Sequence, residues 1–136
     1  IPEIGTVTST VPPVVFLTSN NTREIGDALK RRCLHLYIPF PDNKLEREIV
    51  RSRIPNVEAT LEKQIVTFVQ EVREMDLKKV PAVSETLDWA KALILLNVHN
   101  LEPNIVRSTL NVLLKFQDDI EHIEPEIPTL IRNAVR

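Results

Sequence analysis

The spacing of apolar residues changes near Pro41, and this change limits the folds open to the chain more than any other feature. Two apolar runs precede it, Val14–Leu17 and Cys33–Ile38. Continuous apolar runs with β-branched residues and flanking prolines are typical of strands buried on both faces. After Pro41 the apolar residues recur at helical spacing. The sequence therefore predicts a mostly α fold, with a strand-helix-strand piece in residues 1–41 and a bundle of four to five helices in residues 42–136.

A short helix is predicted between the two strands, over residues 23–32. Its apolar positions are Ile25, Ala28 and Leu29, which lie on one helical face. The helix ends in three consecutive cations, Lys30, Arg31 and Arg32. Cations suit the last turn, where the helix dipole is negative.

Capping residues and prolines predict the helices of the second part. Asp42 is expected to cap a helix over residues 43–53, which Pro55 ends. The further predicted helices span 58–74, 85–98 with Ser84 as the cap, 103–115 with Pro103 in the first turn, and a final helix from residue 129, after Pro125 and Pro128.

Side chains on these helices divide into an expected core and an expected surface. Trp89 and the run Leu93–Leu96 are interpreted as core, because an apolar stripe at helical spacing is more often core than a docking surface. The acidic clusters, which include Glu46 and Asp119, are interpreted as solvated helix faces.

Composition excludes several classes of function. A net charge of -2 predicts no nucleic-acid partner unless a local basic patch exists. Cys33 is the only cysteine, so an intrachain disulfide is impossible, and a reducing cytoplasmic location is expected. No apolar run approaches the roughly 20 residues that a membrane helix needs, so no membrane partner is expected.

Candidate chemistry is confined to a few polar side chains. The only two glycines form no phosphate-binding loop, and His35, His99 and His122 have no metal-ligand spacing, so neither a nucleotide nor a metal site is predicted in this segment alone. The chain lacks a starting methionine and is interpreted as part of a longer polypeptide. Missing motifs are therefore expected upstream.

Asn20 and the basic residues at the end of the short helix remain. An amide at the carboxyl end of a buried strand can orient a water or contact a γ-phosphate, although capping the turn is the simpler interpretation of Asn20. Arg31 and Arg32 could act as an arginine finger in a neighbouring subunit, or only complete a favourable helix terminus.

Taken together, these residues resemble a known family. The pattern VVFLTSNNTREIGDALKRRCLHLYIPFPD is similar to the sensor-1 strand, arginine-finger turn and last core strand of an AAA+ ATPase, continuing into its helical lid. IPEIGT and ETLDWAKAL resemble the MoxR branch, in particular the group associated with carbon monoxide dehydrogenase maturation. The resemblance implies that residues 1–41 are the end of a parallel α/β nucleotide-binding core and that residues 42–136 are the lid.

The resemblance also assigns site residues. Asn20 matches the sensor-1 residue, and Arg32 matches the arginine finger, with Arg31 as second choice. The sequence Lys30-Arg31-Arg32-Cys33 also resembles the S-R-C triplet of clamp-loader ATPases, which stay a rival family. The sensor-2 arginine of the family is absent from residues 81–86, where Ser84 and Glu85 would lie near the nucleotide instead.

For the intact protein, the resemblance implies ATP hydrolysis with ATP and Mg²⁺ held by upstream Walker A and Walker B motifs. It implies a ring, commonly a hexamer, with chaperone-like remodelling or metal-cofactor maturation of a metalloenzyme client. A von Willebrand factor A-domain protein is the implied partner. A non-enzymatic helical protein-interaction module is the alternative.

Overall fold

The described chain is mostly helical, as the sequence predicts. The computed structural model describes residues 10–19 and 26–136 and divides the chain into two units, Ile1–Ile38 and Pro39–Arg136. The helices are α1 (Asp27–Lys30), α2 (Asn43–Arg53), α3 (Ala59–Arg73), α4 (Val83–Leu95), α5 (Pro103–Leu113), α6 (Gln117–Ile123) and α7 (Ile127–Val135), with a 3-10 turn at Glu124–Glu126.

The first unit has no strand among its described residues. The predicted strand at Val14–Leu17 and the predicted strand at Cys33–Ile38 both lack regular structure. Their apolar side chains are exposed, with Phe16 88% and Leu36 81% accessible. A strand pair without neighbouring strands or covering helices cannot bury such a surface. The predicted helix over residues 23–32 is confirmed only as the single turn Asp27–Lys30, and residues 23–25 lie outside the described chain.

The second unit begins with the helix whose ends the sequence signalled most clearly. Asp42 caps α2, and its Oδ1 accepts a hydrogen bond of 2.8 Å from the amide of Leu45. The helix ends before Pro55, where the Ile54 amide still donates to the Val50 carbonyl at 2.8 Å. The predicted span of residues 43–53 is confirmed.

Helix α3 packs against α2, α4 and α7, while α5 packs against α4 and α7. The apolar residues on one face of α3 are buried, as is Trp89 of α4; those of α3 are Leu61, Ile65, Phe68, Val69 and Val72. Phe68 and Trp89 pack with ring centroids 5.2 Å apart, and the indole Nε1 donates a 2.9 Å hydrogen bond to the Thr109 hydroxyl. The core interpretation is confirmed for Trp89 and Leu93, whereas Leu95 and Leu96 are exposed.

The end of the chain is more helical than the sequence predicted. Pro125 lies in the 3-10 turn, and Pro128 lies in the first turn of α7. A proline is tolerated there because the first-turn amides have no partner within the helix. The prediction that α7 begins only at residue 129 was therefore wrong by two residues.

The helices of the described chain are also shorter or more polar than bilayer spans. None of those within residues 26–136 has the length and apolar character that crossing a membrane requires.

Candidate functional site

The predicted arginine-finger residues lie at the end of α1. Arg31 is the C-terminal capping residue, and its amide donates to the Asp27 carbonyl at 3.0 Å. The Arg32 amide donates to the Leu29 carbonyl at 3.0 Å. Both side chains are exposed, and within the described residues neither guanidinium has a hydrogen bond or an ion pair. Both side chains are therefore accessible to solvent in the described chain.

The predicted sensor residue, Asn20, lies outside the described residues. Its proposed contact with a γ-phosphate thus stays a prediction from the sequence. Arg31 and Arg32 belong to the first unit, and Ser84 and Glu85 belong to the second. The two pairs of predicted site residues therefore lie in separate units.

Ser84 and Glu85 contact each other at the start of α4. The residue before the helix is Ala82, not Ser84, so the predicted Ser84 cap was wrong. Alanine has no side-chain oxygen that could accept from the first-turn amides. Glu85 instead makes the other hydrogen bond of a capping box, because its Oε2 accepts a 3.2 Å hydrogen bond from the Ala82 amide. The Ser84 hydroxyl donates to the same oxygen at 2.8 Å. Glu85 thus provides a hydrogen-bond acceptor for the amide of Ala82, the residue before the helix.

The charge state of Glu85 follows from these contacts. Burial acts to raise the pKa of the Glu85 carboxyl, but the hydrogen bonds from Ser84, its own amide and the Ala82 amide, together with nearby Lys79, lower the pKa below its usual value. Lys79 Nζ lies 3.7 Å from Glu85 Oε1. The carboxylate is therefore ionised at neutral pH.

This arrangement does not fit a phosphate-binding role for Ser84 and Glu85. An ionised carboxylate at the N-terminus of α4 occupies the position at which a helix attracts anions, and it repels a phosphate. Within residues 10–19 and 26–136, no group of three or more histidine, cysteine, aspartate or glutamate side chains is arranged to hold a metal ion.

A buried charge cluster, which the sequence did not predict, lies beside this terminus. It consists of Glu46 on α2, Gln70 and Arg73 on α3, and Thr86 on α4. Arg73 binds Glu46 bidentately, with Nη1 donating to Oε2 at 2.6 Å and Nη2 donating to Oε1 at 2.7 Å. Both side chains are buried, with 5% of Arg73 and 0% of Glu46 accessible. The interpretation of Glu46 as a solvated residue was wrong.

The remaining acceptor positions of Glu46 are also filled. Thr86 Oγ1 donates to Glu46 Oε1 at 2.8 Å, and Gln70 Nε2 donates to Oε2 at 2.5 Å. Glu46 accepts four hydrogen bonds in total. A buried carboxylate is tolerated only when it is paired and bonded in this way.

The buried charge cluster also holds chain segments that lie outside the helices. Arg73 Nε donates to the Pro81 carbonyl at 2.8 Å, and its guanidinium carbon lies 4.8 Å from the centre of the Phe40 ring. Gln70 Nε2 donates to the Pro41 carbonyl at 3.0 Å. The cluster therefore touches both the first residues of the second unit and the residues that lead into α4.

A second buried carboxylate, Glu62, lies on α3. Its oxygens accept hydrogen bonds from Arg47 Nε, at 2.6 Å, and from Arg51 Nε, both on α2. Arg47 and Arg51 are 29% and 54% accessible, whereas Glu62 is 1% accessible. This pairing is thus closer to solvent than the buried charge cluster.

A third polar contact joins the segment before α4 to α6. Asp119 is buried, and its carboxylate accepts hydrogen bonds from the amides of Lys78 and Lys79 at 2.8 and 3.2 Å. The neighbouring Lys78 and Asp118 are hydrogen-bonded, which raises the pKa of Lys78 and lowers the pKa of Asp118. The solvated interpretation of Asp119 was therefore also wrong, because its carboxylate binds backbone amides.

Helical spacing was the signal that could have found the buried charge cluster. Glu46 lies four residues before Val50, and Arg73 lies four residues after Val69, so both occupy positions on the apolar faces of their helices. Thr86 precedes Trp89 and Ala90 by three and four residues on α4. Three polar residues at core positions of three helices are the pattern expected of a buried network.

Comparisons of the chain with protein-family models, with curated proteins and with solved structures found no match.

Proposed function

We propose that the chain is the sensor-1, arginine-finger and lid portion of a MoxR-like AAA+ ATPase. The intact protein would couple ATP hydrolysis to remodelling, or to metal-cofactor maturation, of a client protein. Upstream motifs would hold ATP and Mg²⁺, and the subunits would form a ring, most simply a hexamer. A metalloenzyme client and a von Willebrand factor A-domain protein are the proposed partners.

The observation that carries the proposal is the order of features around Arg32. A motif that resembles sensor 1 is followed by a short helix ending in exposed arginines, then by an apolar run, and then by a unit built from helices. The lid of such an ATPase follows its last core strand in the same order. The guanidinium of Arg32 is exposed and without a hydrogen bond or an ion pair in the described chain, as a residue that acts on a neighbouring subunit requires.

The exposed apolar residues of the first unit support the same proposal. Val14, Phe16 and Leu36 are the kind of side chains that the inside of a parallel sheet buries. We infer that residues 14–19 and 33–38 become strands when neighbouring strands pair with them. In that state Asn20 would lie at the carboxyl end of its strand, where α/β sheets bind ligands.

Arg32→Ala in a polypeptide that carries the upstream motifs tests the proposed role. We expect loss of ATP hydrolysis by about 10³-fold or more, the factor that an arginine finger supplies, while nucleotide binding is retained. Lys30→Ala removes one positive charge from the same helix end and is the matched control. Unchanged turnover in Arg32→Ala, or an equal loss in Lys30→Ala, would contradict the assignment.

Mixing two defective subunits tests whether Arg32 acts between subunits. A subunit that lacks the phosphate-binding loop but keeps Arg32 should restore hydrolysis to an Arg32→Ala subunit. Failure to complement would mean that Arg32 acts within its own subunit or has no role.

A non-enzymatic helical interaction module remains the second candidate, because residues 39–136 contain a hydrophobic core of their own. A clamp-loader-type segment is the other ATPase reading of Lys30-Arg31-Arg32-Cys33. The interaction module predicts no ATPase activity in the intact polypeptide, with or without Arg32. Measurable hydrolysis would exclude it.

A further inference from the structure

We propose that Arg73 mechanically couples the entry segment, residues 39–41, to the first turn of α4. The entry segment is the start of the second unit. The two ends are far apart in sequence, yet a single guanidinium contacts both. This coupling would exist whether or not the chain belongs to an ATPase.

Contacts at one end of the coupling involve the entry segment. The Arg73 guanidinium lies over the Phe40 ring at 4.8 Å, and Phe40 is otherwise half exposed. Gln70 donates to the Pro41 carbonyl at 3.0 Å and to Glu46 Oε2 at 2.5 Å, so it joins the entry segment to the carboxylate that Arg73 binds. Arg73 and Gln70, two members of the buried charge cluster, thus contact the Phe40 ring and the Pro41 carbonyl, respectively.

Contacts at the other end involve the start of α4. Arg73 Nε donates to the Pro81 carbonyl at 2.8 Å, and Nη2 donates to the Thr86 hydroxyl at 3.1 Å. The Thr86 amide makes a first-turn hydrogen bond of α4, to the Ala82 carbonyl at 3.2 Å. Arg73 therefore bonds to Pro81, which precedes Ala82, and to Thr86, the fourth residue of α4.

The chemistry of arginine makes these contacts interdependent. Its guanidinium is a rigid plane, and its nitrogens are all engaged: Nε with Pro81, Nη1 with Glu46, and Nη2 with Glu46 and Thr86. A displacement of the Phe40 ring that tilts this plane must lengthen bonds at the start of α4. A lysine, with one ammonium group, could not transmit such a tilt.

The entry segment is suited to transmit motion because two of its three residues are prolines. Pro39 and Pro41 have restricted φ angles, which limits how far the backbone on either side of Phe40 can absorb a displacement. By thermodynamic reciprocity, a change at the start of α4 must affect the entry segment by the same factor. Coupling should therefore be measurable in both directions.

The first experiment perturbs the entry segment and measures α4. In Phe40→Leu, amide hydrogen exchange at Ala82 and Thr86 should accelerate about two- to fivefold, the factor that corresponds to one cation–π contact. Arg47→Met is the matched control, since it breaks a neighbouring arginine–glutamate pair formed by α2 and α3 alone. The control should leave these two exchange rates unchanged.

The second experiment perturbs α4 and measures the entry segment. The chain has four phenylalanines, so fluorophenylalanine labelling gives a short ¹⁹F NMR spectrum in which Phe40→Leu identifies the Phe40 signal. Thr86→Val should shift that signal, whereas Arg47→Met should not. Trp89 fluorescence reports whether each variant is folded.

The outcomes separate coupling from passive packing. Accelerated exchange in Phe40→Leu with an unaffected control supports the proposal, and a Phe40 shift in Thr86→Val supports it independently. Unchanged exchange in Phe40→Leu would overturn the proposal, and so would equal acceleration in Arg47→Met, which would indicate general destabilisation. If Thr86→Val does not fold, the Phe40→Leu result decides alone.

Discussion

Replacing Arg73 with methionine should destabilise the helical unit far more than replacing Arg47. Glu46 accepts four hydrogen bonds, and Arg73→Met removes the two that come from a cation. The carboxylate would stay buried with only the neutral donors of Gln70 and Thr86. Breaking one side of a buried ion pair costs about 3–5 kcal/mol in unfolding free energy. Such a loss is a large part of the stability of a domain of this size.

Arg47→Met provides the comparison because Glu62 keeps a second arginine, Arg51. Arg47 is also 29% accessible, so solvent screens its charge. The expected cost is about 1 kcal/mol or less. Urea unfolding at pH 7, followed by circular dichroism and by Trp89 fluorescence on the same samples, should therefore separate the two variants by about 2 kcal/mol or more.

A double variant checks the physical reason. Glu46→Leu combined with Arg73→Met removes both buried charges together, and such replacements are often neutral or stabilising. We expect it to be clearly more stable than Arg73→Met alone. The reasoning would be refuted if the double variant were no more stable than Arg73→Met, or if Arg73→Met and Arg47→Met lost the same unfolding free energy.

Two further predictions concern the ends of α4. Asn97 follows the C-terminal end of α4 with a positive φ of 53°, and the amides of Asn97 and Val98 donate to the carbonyls of Ile94 and Leu93. Because glycine adopts a positive φ without strain and valine does not, Asn97→Gly should stabilise the chain by up to about 1 kcal/mol and Asn97→Val should destabilise it, as measured by thermal unfolding. At the N-terminal end of α4, the pKa of Glu85 is lower in the folded chain than in the unfolded chain. The ionised carboxylate therefore stabilises the folded state at a pH above the unfolded-state pKa, and this stabilisation is lost as the pH falls through the folded-state pKa. The stability difference between the native chain and Glu85→Gln should therefore shrink between about pH 6 and pH 3, and a constant difference would contradict the assignment.

Helix positions could be predicted wherever local signals determine them. Asp42 and Pro55 enclose α2, and a periodic apolar face gave α3 to within one residue at each end. The start of α4 was misplaced because the sequence offers Ser84 as a cap, whereas the chain begins the helix at Val83 and satisfies Ala82 through Glu85. Only the three-dimensional position of a side chain distinguishes these two solutions.

Helical spacing could have placed Glu46 and Arg73 at core positions, but the partner of a buried charge could not be predicted from a single helix. The partners of Glu46, Glu62 and Asp119 come from other elements: Arg73, the two arginines of α2, and the backbone before α4. The predicted strands show the converse case. Residues 14–17 and 33–38 have strand-like composition, but strand pairing requires neighbours that composition cannot supply. Of the proposed site residues, Arg32 lies just after a short helix and is exposed, as the sequence predicts for a helix terminus, while the role of Asn20 stays a prediction.

Two buried carboxylates join α2 to α3, and each helix provides one of them. Glu46 extends from α2 to an arginine of α3, and Glu62 extends from α3 to arginines of α2. If α2 slid along α3 by one helical turn, about 5.4 Å, the apolar faces could still meet and Glu62 could keep one of its two arginines, which lie four residues apart, but Glu46 would lose Arg73. The Glu46–Arg73 pair therefore determines the alignment of the two helices, even if replacing both of its charges by apolar side chains leaves the free energy of unfolding unchanged.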